Sequence, residues 1–192
     1  SVVEPTMNGI GGDLFAIVYH GKTKTLHGLN ASGCAGSGAT PEAYATLKLT
    51  AVPDRGPLPV TVPGVIDGWN ELLQKHGTIS LAQAVAPAIA YARDGFAVSE
   101  IIAEQWRDTE SVLARDEKAA AVFLPGGHAP KPGDVFRNPA LAATLEMIAK
   151  GGRDALYLVP EITLTPLLAR NLKARLGERL AILHSSLGPG ER

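Results

Sequence analysis

The stretch that most restricts the fold is a glycine cluster running straight into an apolar segment, Gly9-Ile10-Gly11-Gly12-Asp13-Leu14-Phe15-Ala16-Ile17-Val18-Tyr19. Gly9, Gly11 and Gly12 can take backbone angles that a Cβ would forbid, which predicts a tight, irregular turn. Leu14–Tyr19 is short and rich in aromatic and β-branched residues, and reads as a buried strand. The order of these elements excludes two nucleotide-binding motifs. A dinucleotide fingerprint needs G-x-G-x-x-G after a strand and before a helix, whereas here Leu14 occupies the place of the third glycine and a strand follows. Gly21-Lys22-Thr23 looks like the end of a phosphate-binding loop, but Ala16 stands where that loop needs its first glycine.

The 192 residues are 45% hydrophobic and 19% charged, enough for one substantial core. A net charge of −1 gives no electrostatic case for nucleic acid or a membrane surface. No apolar run approaches the length of a membrane span. No charged-then-apolar leader opens the sequence, and the cytoplasm is expected slightly ahead of the periplasm. The single cysteine, Cys34, excludes an internal disulfide and a cysteine-based zinc cluster. Neither a metal nor a cofactor is expected.

Leu14–Tyr19, a Gly21-containing loop and Thr25–Asn30 read as a β-hairpin. Residues 30–40 (NASGCAGSGAT) are small and glycine-rich, and serve either as a flexible connection or as a site loop. Thr40 and Pro41 begin a short helix over 41–49, and Val60-Thr61-Val62 reads as a strand ending at Pro63-Gly64. Val65, Trp69, Leu72 and Leu73 share a helix face, closed by His76-Gly77. Ser80 caps the next helix, in which Pro87 predicts a kink or break and Gly95 the end. A third helix spans 99–114 with Ile102, Trp106 and Leu113 inward, and both tryptophans are expected to be core anchors. Residues 123–134 are turn-rich, and Asn138-Pro139 starts a helix that Gly151-Gly152 stops. Beyond residue 154 the pattern becomes strand, helix, strand (156–159, 166–176, 180–183), with Arg170, Lys173 and Arg175 on the helix.

With these elements placed, the chain resembles the γ-glutamyltranspeptidases. The motifs that carry the likeness are Val2-Val3-Glu4-Pro5 with Gly9-Ile10-Gly11-Gly12, and Val62-Pro63-Gly64-Val65 with Gly68-Trp69. Further along come Ala86-Pro87-Ala88-Ile89, Asp94-Gly95-Phe96 with Val98-Ser99, Pro132-Gly133-Asp134, Asn138-Pro139-Ala140-Leu141-Ala142 and Gly152-Arg153-Asp154-Ala155. They run in the family's order over residues 1 to about 156. The resemblance implies an α+β fold, part of the αββα sandwich of N-terminal-nucleophile hydrolases. It also implies a precursor that cuts itself. The new N-terminal threonine of the second subunit then attacks a γ-glutamyl amide, its own α-amine serving as base, and forms an acyl-enzyme that passes to water or an amino acid.

The sequence departs from that pattern in three places. The family's nucleophile lies in a Thr-Thr-His-type motif, and this chain has no Thr-Thr or Thr-His pair. No catalytic residue is therefore assigned; the chain alone is expected to be inactive and to need a threonine-bearing small subunit. An arginine that grips the substrate α-carboxylate follows the hairpin in the family. Matching that loop onto 29–36 puts Ser32 at its position, with Cys34 where some relatives carry one. Asn30 and Ser32 are the candidate substrate-binding residues, for a γ-glutamyl or related amide. Third, Leu158-Val159-Pro160-Glu161-Ile162 with Leu164-Thr165-Pro166, and Leu183-His184-Ser185 with Leu187 and Gly190-Glu191-Arg192, resemble the primosomal replication-restart helicase. The expected division is a transpeptidase-like part, 1–156, and a helicase-like β-α-β fragment, 157–192, through which alone DNA would be bound. The alternatives to an amidase are thus a nucleic-acid motor fragment or a non-catalytic scaffold.

Overall fold

The computed structural model describes residues 1–56 and 58–151. The expected strand–helix–strand of the tail, and the junction near residue 156, lie outside the described residues. The described chain is a mixed α+β structure that divides into two compact units, one built on Ile10–Thr78 and the other on Ser1–Gly9 with residues 79–151.

In the first unit, β1 (Leu14–His20) pairs antiparallel with β2 (Thr25–Ala31), in a register running from Leu14 opposite Ala31 to His20 opposite Thr25. The turn is held by the Thr23 hydroxyl, 2.8 Å from His20 Nδ1 and 2.7 Å from the Thr25 hydroxyl. Strand alternation sorts β1 into two faces. Leu14, Ala16 and Val18 are half-buried on the side where helix α2 (Val65–His76) packs against both strands. Phe15, Ile17 and Tyr19 are 68%, 78% and 58% exposed, with Leu26 beside them at 69%. The expectation of a buried strand thus holds for one face only. A two-stranded ribbon with a helix on one side has nothing among the described residues to cover the other.

Helix α1 (Pro41–Thr46) is shorter than expected and carries the expected cap, the Ala43 N–H donating to Thr40 Oγ1 at 3.2 Å. Val60–Val62 does not form a strand; its pairing is a single antiparallel bridge between Thr61 and Ala35.

In the second unit, α3 (Leu81–Asp94) opens with a full capping box, in which Gln83 N–H donates to Ser80 Oγ and Ser80 N–H to Gln83 Oε1. The helix runs on through Pro87 instead of breaking, and packs along α6 (Pro139–Gly151). Gly95 ends α3 at φ +102°, where a Cβ would lie 2.6 Å from Val135 Cγ1. Two elements escape the sequence reading: α5 (Glu117–Phe123), and the ribbon of β3 (Phe96–Ala97) with β4 (Val135–Phe136). Both serve the core beneath α4 (Glu100–Leu113), where Trp106 is fully buried among Val98, Ala103 and Phe136. Its indole N–H donates to the Phe123 carbonyl at 2.9 Å, and its ring meets Phe136 edge-on at 4.8 Å. Trp69, by contrast, is half-buried.

Candidate functional site

The loop after β2 is where the sequence places its candidate binding residues, and the structure shows what holds it. Asp13 sits at the entrance to β1. Its Oδ1 accepts the Gly33 N–H at 2.9 Å and the Thr61 hydroxyl at 3.2 Å, tying the loop to the segment before α2. The Cys34 carbonyl accepts the Val62 N–H at 2.9 Å and continues that tie. One residue earlier, the Gly12 carbonyl accepts the N–H groups of Gly64 and Val65, at 3.0 and 3.1 Å. Those amides open α2, whose N-cap Gly64 has no side chain to serve them. A backbone oxygen from the glycine cluster therefore caps the helix.

This closeness explains the glycines of the site. A Cβ on Gly33 would overlap the Val62 carbonyl, and one on Gly64 the Ala31 carbonyl. On Gly68 it would lie 2.7 Å from both the Ala31 Cβ and Leu14 Cδ2. The opening cluster behaves otherwise. Gly9, Gly11 and Gly12 have no neighbour within 4 Å of an added Cβ and none has a positive φ, so the expected steric demand is not there. Their turn is irregular, but what the site takes from it is the Gly12 carbonyl and the Asp13 carboxylate.

Asn30 and Ser32 are brought together by the Ser32 N–H donating to Asn30 Oδ1 at 2.9 Å, an Asx-type turn that fixes the loop as it leaves β2. Asn30, Ser32 and Cys34 are all exposed. Asp13 and Thr61 were missed as members of this site. The signal for Asp13 was a carboxylate between paired glycines and a strand; Thr61 gave none, because only the fold carries it to Asp13. The site's one hydrogen-bonded charged side chain among the described residues is that carboxylate.

A separate hollow of about 220 Å³ lies between the hairpin and the end of α2. His27 and His76 meet there with ring centroids 5.0 Å apart, beside the Lys75–Glu71 ion pair at 2.6 Å. No cluster of three or more potential metal ligands occurs among the described residues. Nor is any described helix long and apolar enough to cross a membrane.

The family model for gamma-glutamyltranspeptidase matches residues 1–174. The chain belongs to the γ-glutamyltranspeptidase family. It is 40% identical over 161 residues to the glutathione hydrolase-like YwrD proenzyme of Bacillus subtilis, covering 82% of this chain and 30% of that one. It is 39% identical over 166 residues to the oxamate amidohydrolase proenzyme of Klebsiella pneumoniae, covering 83% and 31%. Among solved structures, the cephalosporin acylase from Bacillus halodurans superposes with a TM-score of 0.72 at 39% identity, over 78% of this chain and 29% of that one. The chain thus spans about 30% of the length of the curated γ-glutamyltranspeptidase relatives it matches. The family match continues past residue 156, where the helicase-like segment was expected to begin, and the comparisons lend the motor reading no support.

Proposed function

We propose that this chain supplies the non-nucleophilic part of an amide-cleaving acyltransferase or hydrolase of the γ-glutamyltransferase type, acting on γ-glutamyl or related amides. The family match over residues 1–174 carries the reading, and relatives named as proenzymes agree with maturation by self-cleavage. The chain contributes its hairpin and helices to an αββα sandwich. A threonine-bearing subunit provides the nucleophile and, through its own α-amine, the base. Attack on the substrate carbonyl forms a tetrahedral oxyanion, expulsion of the amine leaves an acyl-threonine, and water or an amino acid releases the acyl group. The loop with Asn30 and Ser32 lies against the acyl group of the substrate.

Co-expression with a threonine-bearing subunit tests this. Three acyl p-nitroanilides serve as substrates: γ-glutamyl, 4-aminobutyryl and butyryl. The chain by itself should release no nitroaniline and the assembled pair should. Release by the chain alone, or none from an assembled and self-cleaved pair with any of the three, would overturn the reading.

A further inference from the structure

The site loop is held in place and carries no cation, which bears on the acyl group it accepts. Ser32 and Cys34, at the two positions where the resemblance places an arginine, are uncharged and exposed. The backbone around them is anchored from three sides: Asn30 Oδ1 on the Ser32 N–H, Asp13 Oδ1 on the Gly33 N–H, and the Val62 N–H on the Cys34 carbonyl. Gly33 lies so close to the Val62 carbonyl that the loop cannot settle deeper. The cations of the hairpin do not make up for the missing one. Lys22 and Lys24 are at its tip, while the loop leaves from its base, where Leu14 faces Ala31; the length of the ribbon, roughly 20 Å at about 3.3 Å per residue, separates them. Lys75, on the last turn of α2, is committed to Glu71. What the loop does have is the Asp13 carboxylate, hydrogen-bonded to the residue between Ser32 and Cys34.

A substrate carboxylate placed against this loop would lie near a fixed carboxylate with no cation on the loop to pair it, and like charges at close range disfavour such a group. Resting on the amidase reading above, we infer that the assembled enzyme takes amides whose acyl group is neutral or amine-bearing, and discriminates against acyl groups carrying an α-carboxylate. Asp13 sets this preference by the sign of its charge, and Ser32 and Cys34 by the absence of one.

The same three anilides decide it. The 4-aminobutyryl compound is the γ-glutamyl one without its α-carboxylate, and the butyryl compound lacks the amine as well. Expected for the unmodified pair is a kcat/KM on 4-aminobutyryl anilide roughly tenfold or more above that on γ-glutamyl anilide. Ser32→Arg or Cys34→Arg should raise the γ-glutamyl value roughly tenfold relative to the 4-aminobutyryl value, mostly through KM, with assembly, self-cleavage and far-UV dichroism as the controls for folding. A γ-glutamyl preference in the unmodified pair would overturn this inference and leave the amidase reading standing. So would arginine variants that assemble and self-cleave as the unmodified pair does and gain nothing on the γ-glutamyl compound. Cleavage of none of the three would overturn the amidase reading and this inference together.

Discussion

A methyl group added at Gly33 would be driven into the Val62 carbonyl, and one at Gly64 into that of Ala31. Backbone has to shift to admit either, so Gly33→Ala and Gly64→Ala should each cost about 1–3 kcal/mol or more, read as a lower urea midpoint. Gly12→Ala meets open space and keeps its carbonyl, and should stay within about 0.5 kcal/mol. The glycine cluster advertised itself in the sequence, yet the glycines of the site under steric demand, Gly33, Gly64 and Gly68, lie beyond it. Crowding is decided by what a fold brings alongside, and neighbours in sequence do not report it. Asn30 and Ser32 were legible as a loop, but the loop's anchor from Gly33 to Asp13 was not, for the same reason. Elsewhere, Glu110 accepts the Ala129 N–H at 2.8 Å and faces His128 at 3.3 Å. The Ala129 amide first, then His128, holds its carboxyl below the usual carboxylate range. A pKa depressed by folding contributes stability above the unfolded value, and that contribution is lost as pH falls through the folded one. Glu110→Gln should therefore flatten the acid limb of a melting-temperature profile and leave the neutral region less affected.

Helix ends were the most readable elements because their signals are local. Thr40, Ser80 and Asn138 each cap the helix expected of them, and Ser99, read as the first residue of its helix, caps it instead, all through side-chain oxygens accepting N–H groups three residues on. Ser80→Ala removes the side-chain half of the capping box, leaving the Gln83 N–H without its acceptor, and should cost about 0.5–2 kcal/mol, seen as a lower midpoint in far-UV dichroism. Failures cluster where an element exists only through a distant partner. The two-residue strands β3 and β4 pair across a long sequence gap, and Val60–Val62 lacks a partner long enough to make it a strand. The cluster these ribbons frame turns on one side chain. Trp106→Ala removes a fully buried indole and orphans the Phe123 carbonyl, and should cost about 3–5 kcal/mol, with near-UV signal lost before helicity.

For the whole molecule, the feature that matters most is the open face of the hairpin. Phe15, Ile17, Tyr19 and Leu26 are all more than half exposed on one side of a ribbon whose outer edges are unpaired among the described residues. Such a surface invites edge and face association, so the chain by itself should bind a hydrophobic dye and elute as aggregates. Ile17→Lys, at a residue 78% exposed, should shift that elution toward monomer with little change in the denaturation midpoint. The Gly12 carbonyl has a bearing on timing as well. It joins the entrance of the hairpin to the first amides of α2, and every other tie of the loop closes between residues 13 and 62. All of these partners lie between residues 12 and 65, so the ties can close as soon as that one short stretch has emerged from the ribosome. The loop is therefore assembled from one continuous stretch of chain, and its order does not wait on anything made later.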